Sequence, residues 1–208
     1  MTNSRLLIVF MRNPVLGKTK TRLARDIGDK MAFNVYLKLL SNTNCIVKKA
    51  ICDKAVCYSD TIDHKDIWDN NIFRKTIQSK GDLGERMENA FKDAFAEKYC
   101  KVVLVGTDCF DITTGIINEA FDKLETNDIV IGPAKDGGYY LIGMKKLFPS
   151  VFRNKTWSTD VVLDQTLIDI WNYRLRYSFL PQLSDIDTLD DIDNLINLDL
   201  LYTETIQK

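Results

Sequence analysis

The sequence has 208 residues, of which 45% are hydrophobic and 27% are charged, and its formal net charge is -1. This composition is that of a soluble globular protein, and we predict one domain spanning residues 1–208. A nearly neutral chain gives no electrostatic support for a nucleic-acid partner, so any anion site must be local. The apolar start, Leu6 to Met11, is too short for a signal peptide or membrane span, and we expect no integral membrane segment.

The first half of the chain alternates predicted strands with predicted helices. Leu6 to Phe10 is a continuous apolar run, typical of a strand buried on both faces. Residues 30–40 carry apolar groups at helical spacing and predict a helix. Short strands are expected at residues 55–59 and 73–78, and a helix is expected after the segment Gly81 to Gly84.

The next segment contains the clearest predicted strand, Val102 to Val105. Thr113 or Thr114 is expected to cap the helix that follows it. Residues 129–131 and 139–144 then predict two extended segments on either side of a glycine turn.

The last part of the chain predicts two more helices and one strand. Ser158 or Thr159 is expected to cap a helix, residues 173–179 alternate as in a half-exposed strand, and Thr188 is expected to open the last helix. Strands that alternate with helices predict an α/β fold with three layers, Rossmann-like, around a mixed but mainly parallel sheet.

The cysteines favour a reducing compartment. There are five, an odd number, and no C-x-x-C pair occurs, so neither a disulfide framework nor a zinc site is indicated. Most lie in apolar stretches and are predicted to be small buried side chains. We therefore expect a cytoplasmic protein.

Charged residues cluster where the predicted strands end, which is the edge at which open α/β sheets bind ligands. A basic loop follows the first strand, and acidic residues follow three later strands. We expect the basic loop to face these carboxylates across one crevice. The residues are Arg12, Lys18, Lys20 and Arg22 in the loop, then Asp108, Asp111, Asp136, Asp185 and Asp187.

This combination of charges predicts a nucleotide site. Polyphosphates need cations and close backbone N–H groups, and Gly17 would let the basic loop approach closely. A hard divalent cation needs carboxylates, with phosphate oxygens completing its shell. We therefore predict binding of a nucleoside diphosphate or triphosphate together with Mg²⁺ or Mn²⁺.

Each of these features can also be explained without a bound ligand. Basic loops are often only solvated surface, and Asp108 could cap the following helix. Residues 136–138 could be only a hairpin turn, and residues 185–191 could be an acidic helix cap. Neither a Walker A loop nor a G-x-G-x-x-G fingerprint is present, so P-loop and nicotinamide binding have no support.

Six motifs taken together are more specific than any one of them. In this order they resemble those of a bacterial family of small GT-A-fold proteins, described as glycosyltransferases or nucleotide-diphospho-sugar transferases and including members linked to arsenosugar biosynthesis. They are F-x-R-x-P-x-x-G-x-x-K-T-R-L (Phe10–Leu23), Q-x-x-G-D-L-G-E-R-M (Gln78–Met87), V-L-V-G-T-D-C (Val103–Cys109), G-P-A-K-D-G-G-Y-Y-L-I-G (Gly132–Gly143), W-S-T (Trp157–Thr159) and D-I-D-T-L-D-D-I (Asp185–Ile192).

The resemblance spans nearly the whole chain and implies a GT-A, nucleotide-diphospho-sugar transferase fold. It also implies a distant relation to 2-phospho-lactate guanylyltransferase and other nucleotidyltransferases. One position departs from the family pattern, because Phe110 stands where a proline usually follows Asp-Cys. The loss of that proline changes the backbone that presents Asp111.

The leading hypothesis is glycosyl transfer from a nucleotide-diphospho-sugar to a small-molecule acceptor. Asp136 is the predicted general base, with Lys20 and Arg22 assisting catalysis, and Asp108 and Asp187 are the predicted metal ligands. The predicted nucleotide and phosphate contacts are Arg12, Gly17, Lys18, Lys20, Arg22, Gln78, Gly81 and Arg86. The predicted sugar or acceptor contacts are Gly137, Gly138, Tyr139 and Trp157.

Two alternatives remain open from the sequence. A nucleotidyltransferase would use the same charges to join a nucleoside triphosphate to a small phosphorylated substrate. A non-catalytic nucleotide-binding module is the second alternative, because Phe110 and the absence of a strict D-x-D could mark lost catalysis. The sequence makes no prediction about oligomeric state.

Overall fold

The computed structural model describes residues 4–193 of the chain, in which strands and helices alternate. The strands are β1 (Arg5–Met11), β2 (Asp53–Tyr58), β3 (Phe73–Ile77), β4 (Lys101–Val105), β5 (Ile129–Pro133), β6 (Tyr139–Met144) and β7 (Tyr177–Phe179). The helices are α1 (Thr21–Ile27), α2 (Asp29–Lys48), α3 (Leu83–Ala96), α4 (Thr114–Lys123), α5 (Val162–Asn172) and α6 (Leu189–Asp193).

The strands form one seven-stranded sheet in the order β3-β2-β1-β4-β6-β5-β7. In the described part of the chain only β6 runs against its neighbours, β4 and β5, and the remaining pairings are parallel. The carboxyl ends of the parallel strands and the start of β6 therefore lie along one edge. This arrangement confirms the predicted Rossmann-like fold with a mixed, mainly parallel sheet.

The sheet is covered on both faces, and β1 shows why its sequence is apolar throughout. Leu7 and Val9 pack on the face that carries α2 and α4, whereas Leu6 and Ile8 pack on the face that carries α3 and α5. All four side chains are at most 2% exposed. Burial of each stabilises the fold by about 1.5–3 kcal/mol. The three predicted layers are thus present.

The structure corrects two boundaries that the sequence predicts. Neither Ser158 nor Thr159 caps α5, which begins at Val162 without a side-chain cap, because these residues belong to a turn at the sheet edge. Residues 173–176 are not strand, because Tyr173 ends α5 and Arg174 takes a left-handed conformation with φ 51°. β7 is therefore only three residues long.

Two other expectations concern the cap of α4 and the absence of a membrane-spanning segment. Thr113 is the residue that caps α4, through a bond from the Ile116 N–H to its hydroxyl at 3.2 Å. Residues 194–208 of the predicted domain lie outside the described residues. Across residues 4–193, no helix combines the length and the apolar character that crossing a membrane would require.

Candidate active site

A cleft of about 570 Å³ opens at the edge where the parallel strands end. It is formed by the loops after β1, β4 and β5, by the segment before α5, and by the segment before α6. The predicted site residues that line it are Arg12, Lys20, Arg22, Gln78, Arg86, Asp108, Asp136, Gly138, Tyr139, Trp157 and Asp187.

Five predicted residues do not line the cleft, and one of them is Asp111, which is exposed after β4. Gly17 and Lys18 are exposed in the turn that precedes it. Gly81 has φ +114°, and a Cβ there would lie 2.3 Å from the Glu85 carboxylate, so this glycine makes room for the capping box of α3. Gly137 lies behind the cleft wall, against residue 160.

Lys20 joins the basic loop to the acidic residues. Its Nζ lies 2.5 Å from Asp108 Oδ1 and 2.8 Å from Asp187 Oδ1, and its side chain is 5% exposed. Burial alone would lower the pKa of Lys20, but the two carboxylates raise it to about 12. The expected meeting of the basic loop with Asp108 and Asp187 is therefore present, and an ammonium lies between these two carboxylates.

Asp187 is paired with a second cation besides Lys20. Burial alone would raise the pKa of Asp187, but Lys20 and then Arg22 lower it below its ordinary value. Arg22 Nη1 lies 4.0 Å from Asp187 Oδ2 on the other side of that carboxylate. Asp187 thus lies between two cations.

The segment before α6 is held beside β4 by backbone pairing. The Ile186 N–H donates to the Asp108 carbonyl at 2.9 Å, and Asp185 forms an antiparallel bridge with Cys109. Ile186 is fully buried among Leu23 and Leu39 of the first two helices. This packing places Asp185 and Asp187 next to Asp108.

Asp185, which the sequence offers as an alternative metal ligand to Asp108 and Asp187, is a further carboxyl of the cleft. Burial raises its pKa to about 7, and the nearby charges of Asp108 and Asp136 raise it as well. A carboxyl in this environment exchanges a proton near neutral pH.

Arg12 is positioned by a tyrosine that sequence reasoning missed. The Tyr36 hydroxyl accepts from the Arg12 N–H at 3.0 Å and donates to the Arg12 carbonyl at 2.7 Å. Tyr36 is 2% exposed, and its burial, with Asp108 nearby, raises its pKa to about 12. The Arg12 side chain is thereby exposed at the cleft.

Asn13 holds the same loop from the other side. Its Oδ1 accepts from the backbone N–H groups of Asp60 and Thr61, and its Nδ2 donates to the Thr61 carbonyl at 2.7 Å. These bonds tie the basic loop to the end of β2.

The Gln78 side chain is hydrogen-bonded to Arg86 and to two strand ends, and does not project freely into the cleft. Its Nε2 donates to the carbonyls of Met11 and Cys57, and its Oε1 accepts from Arg86 Nη1 at 3.1 Å. The Arg86 Nε also donates to the Asp82 carbonyl. The guanidinium of Arg86 is therefore oriented by two contacts before any ligand binds.

The glycine turn between β5 and β6 packs closely on the segment before α5. Asp136 Oδ1 accepts from the Gly138 N–H at 2.9 Å, and the Leu163 N–H donates to the Gly137 carbonyl. Gly137 has φ +87°, and a Cβ there would lie 2.0 Å from the Asp160 carbonyl oxygen. Only glycine fits this backbone contact, which fixes Asp136 at the cleft rim.

An aromatic pair forms the apolar part of the cleft wall. The rings of Tyr139 and Trp157 meet edge to face, with centroids 6.5 Å apart. Gly84 leaves room for the indole, because a Cβ at that glycine would lie 2.6 Å from Trp157 Cζ2. The two residues therefore pack on the structure as well as lining the cleft.

The carboxylates fit a divalent cation that shares its shell with a ligand. Asp108 and Asp187 each direct an oxygen at one point, where the Lys20 ammonium lies. Residues 4–193 contain no group of three or more His, Cys, Asp or Glu side chains arranged to hold a metal. Magnesium is often bound by one or two carboxylates plus substrate phosphates, and this donor set suits that kind of site.

The fold places the protein among α/β proteins that have the nucleotide-diphospho-sugar transferase fold. The family model described as "Uncharacterized protein conserved in bacteria (DUF2064)" matches residues 43–159, more than half of the chain. The chain belongs to this family. A comparison with curated proteins found no match.

Solved structures with a similar fold include proteins described as transferases of two kinds and a manganese complex. A candidate nucleotide-diphospho-sugar transferase from Desulfovibrio desulfuricans G20 shares 31% identity, with a TM-score of 0.84 over 92% of this chain and 85% of that one. The inositol-1-phosphate CTP transferase from T. maritima shares 16% identity, with a TM-score of 0.58 over 96% and 94%. Rv0371C from Mycobacterium tuberculosis H37Rv, in complex with manganese, shares 11%, with a TM-score of 0.53 over 92% and 97%.

Proposed function

We propose that the protein transfers a glycosyl group from a nucleotide-diphospho-sugar to a small acceptor, with the help of Mg²⁺ or Mn²⁺. The observation that carries this proposal is the cleft in which the cations of residues 12–22 meet Asp108 and Asp187 at the carboxyl edge of the sheet. The 31% identity to the Desulfovibrio protein supports the donor class.

The basic residues bind the diphosphate in this proposal. Arg12, Arg22 and Arg86 line the cleft and donate to phosphate oxygens, and the fixed orientation of Arg86 lowers the entropy lost on binding. Their positive charge stabilises the negative charge that develops on the leaving nucleoside diphosphate.

Asp136 is the proposed general base. Its Oδ1 is held by the Gly138 N–H at the cleft rim, which orients the carboxylate toward the space where an acceptor hydroxyl would lose its proton. Tyr139 and Trp157 form the apolar wall against which the sugar ring would pack.

Asp108 and Asp187 are the proposed metal ligands, and phosphate oxygens would complete the shell. A divalent cation at this position supplies Lewis-acid stabilisation of the diphosphate. The manganese complex of a protein with a similar fold supports the choice of a divalent cation.

Nucleotidyl transfer is the second candidate. The cleft carries four cationic side chains, enough for a triphosphate, and the fold is shared with the CTP transferase from T. maritima. In that reaction charge develops at the α-phosphate, and a base for an acceptor hydroxyl is not required. The residues are Arg12, Lys20, Arg22 and Arg86.

The test is a thermal-unfolding panel of nucleotide-diphospho-sugars and nucleoside triphosphates, each with and without Mn²⁺. A ligand that binds the folded state raises the unfolding temperature, and a hundredfold excess over its Kd adds about 2.7 kcal/mol. We expect at least one nucleotide-sugar to raise it more with Mn²⁺ than without. A panel in which no nucleotide shifts the temperature would contradict the proposal.

Asp136→Asn separates the two reactions once a binding nucleotide is known. Glycosyl transfer should fall by about 100-fold or more, while nucleotide affinity stays unchanged. Asp164→Asn, an exposed carboxylate on α5 that does not line the cleft, is the matched control. Release of pyrophosphate from a triphosphate, undiminished in Asp136→Asn, would favour nucleotidyl transfer instead.

A further inference from the structure

The position of the Lys20 ammonium creates a conflict with metal binding. The same Oδ1 atoms of Asp108 and Asp187 that would bind a divalent cation lie 2.5 Å and 2.8 Å from Lys20 Nζ. A second cation between these oxygens would lie within a few ångströms of the ammonium, where repulsion in a partly buried site is strong. The metal and the ammonium therefore compete for one position.

Lys20 has few other places to go within the protein. Its side chain is 5% exposed, and its backbone is fixed in a left-handed conformation, with φ 50° and ψ 44°, at the start of α1. A buried ammonium that leaves its carboxylates needs another anion, because an unpaired buried charge is costly. Lys20 lines the cleft together with Asp185, and the oxygens of an entering phosphate also come within its reach.

We propose that Lys20 keeps the divalent-cation position closed until a polyphosphate enters the cleft, draws the ammonium away and leaves Asp108 and Asp187 to the metal. This inference rests on the proposed function for the identity of the two metal ligands. Metal and polyphosphate then bind with positive coupling, and the coupling is reciprocal. The free protein binds the metal weakly, although both carboxylates are already in place.

The test measures Mn²⁺ binding alone, by the loss of the free-ion signal in electron paramagnetic resonance, in the wild type and in Lys20→Met. We expect Lys20→Met to bind Mn²⁺ at least about tenfold more tightly, a gain of about 1.4 kcal/mol. The double variant Lys20→Met with Asp187→Asn should lose this gain. Equal affinities in the wild type and Lys20→Met, or no binding by either, would overturn the proposal.

Lys75→Met is the matched control. Lys75 is also buried, with a side chain 3% exposed, and it pairs with Asp66 at 2.8 Å, but it does not line the cleft. Its replacement should leave Mn²⁺ affinity unchanged. A tenfold gain in Mn²⁺ affinity in Lys75→Met would show that removing any buried cation tightens Mn²⁺ binding. That result would contradict a specific role for Lys20.

A second measurement uses only the wild type, and so stands even where Lys20→Met fails to fold. Reductive methylation followed by mass spectrometry reports how accessible each lysine amine is. Without ligand, Lys20 should label slowly, and Mn²⁺ at saturation should raise its labelling severalfold while Lys75 is unchanged. If Mn²⁺ saturates the protein and the labelling of Lys20 does not change, the proposal is overturned.

Failure of this proposal is distinct from failure of the proposed function. The Mn²⁺ measurements need no nucleotide, and the nucleotide panel without metal needs no competition with Lys20. Nucleotide binding together with equal Mn²⁺ affinities would reject only the role of Lys20. Tight Mn²⁺ binding by Lys20→Met without any nucleotide response would reject the proposed function but leave the competition between Lys20 and the metal standing.

Discussion

The two sides of the cleft are held in place by different means. On the basic side, residues 12–22 and 78–86, polar side chains bond to the backbone: Tyr36 holds both polar atoms of the Arg12 peptide, and Gln78 bridges two strand ends. On the glycine side, residues 136–138 and 157–160, backbone packs directly on backbone, with Gly137 against Asp160.

This difference predicts how each side responds to change. The basic side should tolerate small changes of volume and fail when a polar atom is lost, because its loops depend on hydrogen bonds. The glycine side should tolerate lost polar atoms and fail when an atom is added, because the space beside Gly137 is already filled. We therefore expect the proposed donor region to be sensitive to the loss of polar atoms, and the proposed acceptor region to be sensitive to added volume.

The largest effect is expected for an added atom on the glycine side. Gly137→Ala places a Cβ 2.0 Å from the Asp160 carbonyl oxygen at φ +87°, and should lower the free energy of unfolding by about 3 kcal/mol, measured by urea denaturation. Gly138→Ala is the control, since its Cβ would lie 3.2 Å from the Asp136 carboxylate and should cost less than about 1 kcal/mol. Equal losses of unfolding free energy in the two variants would contradict the claim that close packing beside Gly137 limits this side of the cleft.

An intermediate effect is expected when one oxygen is removed on the basic side. Tyr36→Phe loses both hydrogen bonds to the Arg12 peptide, and should lower the free energy of unfolding by about 1–2 kcal/mol. It should also weaken binding of the best nucleotide from the thermal panel by about threefold to tenfold, measured by calorimetry, because Arg12 is no longer fixed.

Tyr58→Phe is the matched control away from the cleft. Tyr58 is 1% exposed and does not line the cleft, and its hydroxyl donates to Asp66 Oδ2 at 2.7 Å. This variant should lose stability while nucleotide affinity stays unchanged. A similar loss of affinity in both variants would show that the effect of Tyr36 is not specific to Arg12.

The smallest effect is expected at Asp128, which directly precedes β5 at the edge of the sheet opposite the cleft. Partial burial alone would raise the pKa of Asp128, but the Arg176 N–H and the nearby Lys145 and Arg176 cations lower it below its ordinary value. A lowered carboxyl pKa stabilises the fold above the unfolded value and loses that stabilisation as pH falls through the folded value.

Asp128→Asn should therefore lower the free energy of unfolding at pH 7 by about 0.5–1 kcal/mol, because solvent screens the pair. The difference from the wild type should shrink as pH falls below about 4, near the ordinary pKa of aspartate. Denaturation at pH 7 and pH 3 measures it. A difference that grows toward low pH would contradict the direction of the pKa shift.

The sequence predicts the fold and the edge that carries the cleft because both depend on simple patterns. The continuous apolar runs of β1 and β4 need burial on two faces, which a mainly parallel sheet supplies. Once strand direction is known, charged residues after different strands must come to one edge. Lys20 meets Asp108 and Asp187 for this reason.

The contacts that position the site could not be predicted, because they depend on which atoms meet in space. Tyr36 belongs to the apolar stripe of α2, and periodicity explains its burial but not the partners of its hydroxyl. Gln78 appears in a motif as a ligand contact, whereas its side-chain amide bonds to Met11, Cys57 and Arg86 of the protein itself. The two cap-like residues before α5 serve a turn, so the helix begins later than the pattern predicts.

The roles assigned to individual residues stay predictions. Asp136 as base and Asp108 with Asp187 as metal ligands come from chemistry and resemblance, and their geometry is compatible with those roles. Gly17, Lys18 and Gly81 lie in motifs that border the cleft without lining it. Adjacency in sequence to a ligand-binding residue does not ensure that a side chain reaches the ligand.

The pairing of Lys20 with Asp187 also has a consequence for biosynthesis. The two residues are 167 positions apart, so the pair cannot form until the segment that carries Asp187 has left the ribosome. Before that point Asp108 is already available to Lys20, but the second carboxylate is missing. The cleft is thus complete only after residues 185–187 have paired beside β4 through the bridge between Asp185 and Cys109.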